Sequence, residues 1–169
     1  SYHRQMRRIG TDLAKRPLRV AIAGEVYSMF EPFANLNIEE RLMRMGVSTE
    51  RLLTPTWWLR DLVLKPLHLN SPEVKKRSAP YLPLPVGGHA RETIAHAVRA
   101  RQSDMDGVIQ IFPMGCMPEI VAKAALHDVD VPVLTLVIDE MTGDAGYDTR
   151  IEAFLDMLEA RRRRAKIWA

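Results

Sequence analysis

Four short apolar runs stand out along the chain, separated by longer stretches in which apolar residues recur at helical spacing. The runs cover 18–23, a weaker segment near 51–53, 107–112 and 133–138. They are rich in β-branched residues and show no alternation, as is typical of strands covered on both faces. The pattern therefore predicts an α/β fold, with an open, mostly parallel sheet of about four strands and helices on both faces.

Helical spacing and end signals predict four helices, at 38–45, 91–102, 119–127 and 151–164. Gly46 ends the first helix, Pro118 opens the third, and Asp148 or Thr149 caps the fourth. The side chains predicted to face the core are Leu42, Met43 and Met45 in the first helix, Ile94, Ala95 and Val98 in the second, Ile120, Val121, Ala124 and Ala125 in the third, and Ile151, Phe154, Leu155 and Leu158 in the fourth.

The segment at about 54–85 departs from this alternation. It holds six of the eleven prolines, together with Trp57, Trp58 and Tyr81. It is too apolar for a flexible linker and too interrupted for one long helix. We predict an insert with one or two short helices around 57–64 that flanks the sheet as a cap or contact surface. The predicted organisation is a basic N-terminal segment (1–16), a single α/β domain (17–164) and a short tail (165–169).

Composition and charge predict an ordinary globular chain and argue against a nucleic-acid-binding function. The 169 residues are 47% hydrophobic and 27% charged, as in an ordinary globular chain with a real core. Part of the net charge of +3 comes from basic clusters at 3–8 and 161–164. Because no aromatic residues interleave with these arginines, they predict solvated helix ends rather than a nucleic-acid site.

The sequence also bears on location. No apolar run reaches membrane-spanning length, and the N-terminus lacks the apolar core of a signal peptide. The single cysteine excludes an internal disulfide and agrees with a reducing compartment. We therefore expect a cytoplasmic protein without a membrane partner. Since the first residue is Ser1, we also expect a piece of a longer polypeptide.

Candidate chemistry gathers where the predicted strands end, because the carboxyl ends of parallel strands share one edge of a sheet. Glu25 follows the first strand, Gly115 and Cys116 follow the third, and Asp139 and Glu140 follow the fourth. A thiol at a helix N-terminus faces free N–H groups and the positive end of the helix dipole, which favour the thiolate. A metal, a metal–sulfur cluster or an electrophile requires that thiolate, so Cys116 is the centre of the candidate site.

Each candidate also has a structural interpretation. Cys116 can serve as a small hydrophobe, Glu25 can cap a helix, and the two carboxylates after the fourth strand can be solvated. A thiolate beside carboxylates is repelled unless a cation or cluster neutralises it. This favours either a metal-type site or carboxylates that point elsewhere. The Gly-Gly-His segment at 87–89 resembles a phosphate-binding turn but lacks P-loop spacing.

Three segments together resemble a known family. Residues 112–119 read Phe-Pro-Met-Gly-Cys-Met-Pro-Glu, and 143–154 read Gly-Asp-Ala-Gly-Tyr-Asp-Thr-Arg-Ile-Glu-Ala-Phe, with 132–140 between them. They resemble the C-terminal domain of 2-hydroxyacyl-CoA dehydratase-type proteins, particularly the large CoA-substrate-specific enzyme activases and activase-related proteins. The resemblance covers most of residues 18–160.

This resemblance implies a parallel α/β domain and an iron–sulfur cluster held by cysteines from several loops. Such proteins perform ATP-driven, low-potential electron transfer that supports dehydration or reduction of acyl-CoA thioesters. Cys116 falls at the position of a cluster-ligating cysteine, which makes it the implied metal ligand. Gly115 and Glu25 are the further cofactor-binding candidates at the same edge.

The cysteine count limits what the resemblance implies for this chain. A four-iron cluster takes about four cysteine ligands, and the chain has one cysteine. A cluster is therefore either completed by other domains or subunits of a full-length parent, for which acyl-CoA is the implied substrate class, or absent from this chain. The alternative is a non-catalytic interaction domain in which Trp57 and Trp58 dock against another domain or subunit.

Overall fold

A four-stranded parallel sheet with the order β2-β1-β3-β4 forms the centre of the molecule. The computed structural model describes residues 16–51, 53–54, 56, 59–60, 63 and 71–167. The predicted α/β fold is confirmed. The strands are β1 (Arg19–Gly24), β2 (Ser48–Arg51), β3 (Gly107–Pro113) and β4 (Val133–Ile138).

Strand β2 lies earlier in the chain than the prediction near 51–53. It begins at Ser48, whose N–H donates to the carbonyl of Leu18 at 2.8 Å. Its sequence, Ser-Thr-Glu-Arg, is polar and half-exposed. An edge strand tolerates such residues because one side of it faces solvent, so an apolar run is a poor guide to its position.

Helices cover both faces of the sheet. They are α1 (Val26–Phe30), α2 (Ile38–Arg44), α3 (Pro72–Ser78), α4 (Ala90–Gln102), α5 (Met117–Leu126) and α6 (Asp144–Ile167). The insert prediction around 57–64, with Trp57 and Trp58, lies largely outside the described residues, although those described between 56 and 63 are helical.

Helix α6 begins at Asp144, so the predicted cap at Asp148 or Thr149 is wrong. The Arg41 guanidinium forms ion pairs with Asp144 and, at 2.6 Å, with Asp148. The hydroxyl of buried Tyr147 donates to the carbonyl of Asn35 at 3.0 Å. These contacts hold the first turns of α6 against the α1–α2 region, despite two glycines that locally favour a turn.

Two apolar clusters flank the sheet, and we call them the α6 face and the α4 face. The α6 face consists mainly of Val20, Ile22, Ile109, Ile111, Leu136, Ile151, Phe154, Leu155 and Leu158. The α4 face consists mainly of Ala21, Ala23, Val108, Ala90, Ile94, Ala97, Val98, Ala100, Ala122 and Leu126. The inward positions predicted for the helices at 91–102 and 151–164 are thus confirmed.

The inward face predicted for α5 is only partly right: Val121 and Ala125 are half-buried, and Ala125 packs against the α4 face. Ile120 and Ala124 are exposed, and Glu119, Ala122 and Leu126 are the buried residues. In α2, likewise, Met43 and Met45 are exposed, whereas Ile38 and Leu42 are buried. Helix α5 is rotated because its buried carboxylate has polar partners inside the fold. In α2, the buried residues Ile38 and Leu42 are four positions apart, so they lie on the same face of the helix.

The C-terminal part of α6 carries the second basic cluster. Arg162 donates to the carbonyls of Arg16 and Pro17 at 2.8 and 3.2 Å and lies 3.5 Å from a carboxylate oxygen of Asp106. The cluster is therefore a helix end, as predicted, with one arginine used to attach the chain before β1. No helix in the described part of the chain is long and apolar enough to cross a membrane.

Candidate functional site

The predicted candidates do meet at one side of the sheet, which we call the carboxyl edge. Strands β1, β3 and β4 run parallel, with Gly24 paired to Ile111 and Pro113 paired to Ile138. The loops that carry Glu25, Cys116 and Asp139 therefore leave the sheet side by side. This placement follows from topology, and the local geometry decides what each side chain does.

Gly24 fixes the point at which the chain leaves β1. Its φ is +135°, and a Cβ placed there would lie 1.9 Å from the Ile111 carbonyl oxygen. The next residue, Glu25, donates its N–H to that same oxygen at 2.9 Å. Only glycine permits this approach of β1 to β3, so the direction in which Glu25 emerges is set by the sequence.

Glu25 caps helix α1. One carboxylate oxygen accepts from the N–H of Tyr27 at 2.9 Å, and the other accepts from the N–H and hydroxyl of Ser28 at 2.8 and 2.9 Å. The capping alternative is therefore confirmed. Both carboxylate oxygens thus accept hydrogen bonds from within the chain. The contact between Glu25 and a cofactor is a separate matter and stays a prediction.

Asp139 closes the turn after β4. Its Oδ1 accepts from the N–H of Met141 at 3.0 Å and from the hydroxyl of Thr142 at 2.8 Å, while that hydroxyl accepts from the Asp139 N–H at 2.9 Å. Glu140 is exposed. Asp139 thus stabilises its own loop, whereas Glu140 is solvated, as the structural interpretation expected.

Cys116 occupies the N-cap position of α5 with φ −69° and ψ 92°. Its carbonyl accepts from the N–H of Ile120 at 3.0 Å, but its side chain forms no capping hydrogen bond. The thiol is half-buried. Gly115 before it has φ +84° and nothing within 4 Å of a Cβ placed there. Cys116 thus lies at the positive end of the helix dipole, and there is open space beside Gly115.

The Gly-Gly-His segment also reaches this edge. Gly88 has φ +70°, and a Cβ placed there would lie 2.8 Å from Cγ of Pro118. The segment therefore packs against Pro118, which lies in the first turn of α5, two residues after Cys116. Its role as a phosphate-binding turn stays a prediction.

Below the first turn of α5 lies a buried polar cluster, which we call the Glu119 network. Thr93 donates to one carboxylate oxygen of Glu119 at 2.9 Å, and Gln110 donates to the other at 2.9 Å and to the Glu119 carbonyl at 3.0 Å. Thr135 donates to the Gln110 side-chain oxygen at 3.1 Å. The network ties α4, α5, β3 and β4 together beneath the turn that carries Cys116.

Burial governs the charge of this network. Glu119 is 1% exposed and Gln110 is 0% exposed. Desolvation raises the pKa of Glu119; the hydrogen bonds from Gln110 and Thr93 oppose that rise, and the nearby charges of Glu25 and Glu92 add to it. Sequence reasoning missed this network, although a glutamine inside the apolar run 107–112 was a usable signal for a buried polar partner.

His96 is a second buried polar group on the α4 face. It is 6% exposed, and its Nδ1 accepts or donates no hydrogen bond with any described residue. Burial lowers the pKa of His96 to about 3, with further lowering by the charges of Arg99, Arg77 and His89. The imidazole is therefore neutral in the folded protein near neutral pH.

Exposed apolar side chains surround the carboxyl edge, and we call Tyr27, Met114, Met117 and Met141 the apolar rim. Their exposed fractions are 65, 74, 66 and 85%. Each lies in or just after a loop that follows β1, β3 or β4. A single exposed apolar residue needs no explanation, but a group at one edge is typical of a contact surface.

The donor set at this edge fits one ligand position of a cluster and does not fit a complete one. Cys116 is the single cysteine of the chain. Among the residues that the structure describes, no three His, Cys, Asp or Glu side chains are arranged to hold a metal ion. A four-cysteine cluster held here would need its other cysteines from outside this chain.

Fold and edge together define the chain as a parallel α/β domain with one thiol presented at the carboxyl edge. No protein-family model matches the chain, and no curated protein or solved structure is significantly similar to it. The resemblance to dehydratase-type and activase-related proteins therefore stays a prediction that depends on residues 112–119, 132–140 and 143–154.

Proposed function

We propose that this domain supplies Cys116 as one ligand of an iron–sulfur cluster in an activase-related, 2-hydroxyacyl-CoA dehydratase-like protein. The observation that carries the proposal is the position of the thiol. It stands at the N-terminus of α5, half-buried, without a capping hydrogen bond. It is also the position at which the resemblance places a cluster-ligating cysteine.

The remaining ligands come from other domains or subunits of the parent protein. This part of the proposal is supported by the apolar rim around Cys116, because Met114 and Met117 flank the thiol in sequence and are 74 and 66% exposed. A partner that covers these side chains would also exclude water from around Cys116. The parent's activity would be low-potential electron transfer, or dehydration or reduction of an acyl-CoA.

The Glu119 network supports the proposal structurally. A ligand that shares a cluster with another domain must be held in a fixed position, since ligand geometry is set by the groups behind it. Glu119 lies in the first turn of α5 and is bonded to Thr93 and Gln110 on two other elements. We propose that this carboxylate positions the turn and makes no contact with the cluster.

The test is iron and acid-labile sulfide analysis of the full-length parent, prepared without oxygen. We expect Cys116→Ala to lower iron and sulfide per chain strongly, whereas Ile120→Ala, an exposed change on the same helix outside the apolar rim, leaves both unchanged. Equal iron content in the Cys116→Ala protein and the wild type would remove Cys116 from the ligand set.

The second candidate is a non-catalytic interaction domain, which the apolar rim favours by itself. It differs from the first candidate in whether the parent protein binds iron. Replacing Met114, Met117 and Met141 together by serine is expected to separate this domain from its partner by sedimentation in either case. Only the second candidate expects that separation from a parent that binds no iron at all.

A further inference from the structure

The two edge strands of the sheet differ in how they are protected from other strands. Strand β2 carries Glu50 and Arg51. Glu50 lies 3.8 Å from Arg19 and 3.7 Å from Arg99, and Arg51 pairs with Glu39 at 2.6 Å. Charged side chains are the usual protection of an edge strand against pairing. At the opposite edge, β4 reads Val-Leu-Thr-Leu-Val-Ile and carries no charge.

Main-chain groups of β4 point outward at alternate residues. Val108 donates its N–H to the Pro132 carbonyl and Met114 donates to the Ile138 carbonyl, both at 2.9 Å. With the parallel register, these bonds direct the main-chain groups of the even-numbered residues toward β3. The N–H and C=O groups of Val133, Thr135 and Val137 therefore face away from the sheet.

Few of these outward groups are satisfied within the described part of the chain. The Thr135 carbonyl accepts from the Arg150 guanidinium at 2.6 Å. Just beyond the strand, the Asp139 N–H donates to the Thr142 hydroxyl. No bond from a described residue reaches the outward groups of Val133 and Val137 or the Thr135 N–H. Every residue of β4 except Leu136 is also only half-buried.

We propose that β4 pairs antiparallel with β4 of a second copy of this chain, about a twofold axis at Thr135. In that arrangement Thr135 faces Thr135 of the other copy, and Val133 faces Val137 in both directions. All three outward residues then form hydrogen-bonded pairs, in which each residue exchanges an N–H···O=C bond with its opposite number. The Arg150 guanidinium moves off the Thr135 carbonyl when the strands pair.

Self-complementarity argues for a second copy as the occupant. A twofold interface places the same strand opposite itself, and β4 meets that condition with β-branched pairs and no like charges opposite each other. The outward main-chain groups require an extended strand, since only a strand supplies donors and acceptors at the same spacing. This inference concerns the β4 edge and does not depend on the cluster proposed at the carboxyl edge.

Analytical ultracentrifugation of the whole chain, over about a hundredfold range of concentration, tests the pairing by mass action. We expect a reversible dimer. Thr135→Lys places like charges opposite each other on the axis and also removes the donor to Gln110. It should raise the dissociation constant roughly tenfold or more relative to Thr135→Val, which removes the same donor without adding a charge. Thr49→Lys makes the same chemical change on β2, at the opposite edge, and should leave the constant unchanged.

A charge exchange makes the test specific to the axis. Chains with Thr135→Lys and chains with Thr135→Asp should each dimerise weakly, and an equal mixture should form a mixed dimer. If Thr135→Lys prevents folding, the double variant Val133→Lys/Val137→Lys places like charges opposite each other at two positions instead. A wild type that stays monomeric at every concentration, or a dimer as sensitive to Thr49→Lys as to Thr135→Lys, would overturn the proposal.

Discussion

The two faces of the sheet are packed in different ways. On the α6 face, branched strand residues such as Ile22 and Ile109 meet large side chains of α6 such as Ile151 and Leu158. On the α4 face, the strands present Ala21 and Ala23, and the helix facing them is also rich in alanine. Small side chains let a helix approach the sheet closely. The helix is then enclosed on several sides, and its polar residues are buried with it.

The difference shows where this fold carries its buried polar groups. Thr93, His96, Gln110 and Glu119 are all buried on the α4 face. On the α6 side, the buried polar residues Ser28 and Asn35 lie in the α1–α2 region beside the start of α6. The Asn35 carbonyl accepts from the Tyr147 hydroxyl there, and the Asn35 amide donates to the carbonyls of Ser28 and Met29. The α6 face therefore stabilises the fold by apolar burial, whereas the α4 face combines burial with specific hydrogen bonds below the Cys116 turn. The two faces should respond differently to mutation and to pH.

The largest effect is expected on the α6 face. Ile151 is 0% exposed, so Ile151→Ala removes buried methyl groups and leaves a cavity that costs about 4 kcal/mol. Because no titratable group is involved, the loss should be the same at pH 5 and pH 8 in denaturant unfolding. Ile120→Ala is the control, since Ile120 is 43% exposed and should change stability by no more than about 0.5 kcal/mol.

A smaller, pH-dependent effect is expected from His96 on the α4 face. The folded pKa is about 3, against 6.5 for the unfolded chain, so the unfolded state binds a proton first as the pH falls. The stabilisation that comes from the neutral imidazole is therefore present above pH 6.5 and is lost as the pH falls toward 3. Between pH 7 and pH 5 the loss is about 2 kcal/mol.

Unfolding measured across this pH range compares the wild type with His96→Met, which should lack that part of the slope. His127→Met is the control, because the His127 side chain is 92% exposed. A wild type and a His96→Met variant with parallel pH profiles would show that His96 is not kept neutral by burial.

Much of the fold can be read from the sequence because central parallel strands require uninterrupted apolar residues. The runs at 18–23, 107–112 and 133–138 locate β1, β3 and β4 for that reason. The start of α6 could not be predicted, since it depends on Arg41, which is distant in the sequence. Propensity and glycine content act locally, and they lose to such tertiary contacts.

The candidate site divides in the same way. The carboxyl edge follows from parallel topology, and the capping role of Glu25 follows from its position before α1. The Glu119 network could not be found by periodicity, which counts a glutamate as an outward residue. Its burial depends on Thr93 and Gln110, which only the folded chain brings to the same carboxylate.

The smallest of these effects is expected at Thr93, and it has the opposite pH slope to that of His96. Thr93→Val keeps the side-chain shape and removes the donor to Glu119, at a cost of about 1–2 kcal/mol. Since burial already raises the folded pKa of Glu119 above its ordinary 4.5, the carboxyl group contributes most below pH 4.5 and contributes less as the pH rises through the folded pKa. Without the Thr93 donor, the ionised form is disfavoured further.

The cost of Thr93→Val should therefore grow as the pH rises through the folded pKa of Glu119, in denaturant unfolding at each pH. Thr135→Val is the matched control: it removes the donor to Gln110 and leaves both bonds to the Glu119 carboxylate in place, so its cost should not depend on pH. In a Glu119→Gln background the pH dependence of Thr93→Val should disappear, since no group is left there to ionise. If Thr93→Val and Thr135→Val lower the free energy of unfolding equally at every pH, the Glu119 carboxylate does not distinguish the α4 face from the α6 face. The two faces then differ only in the size of their side chains.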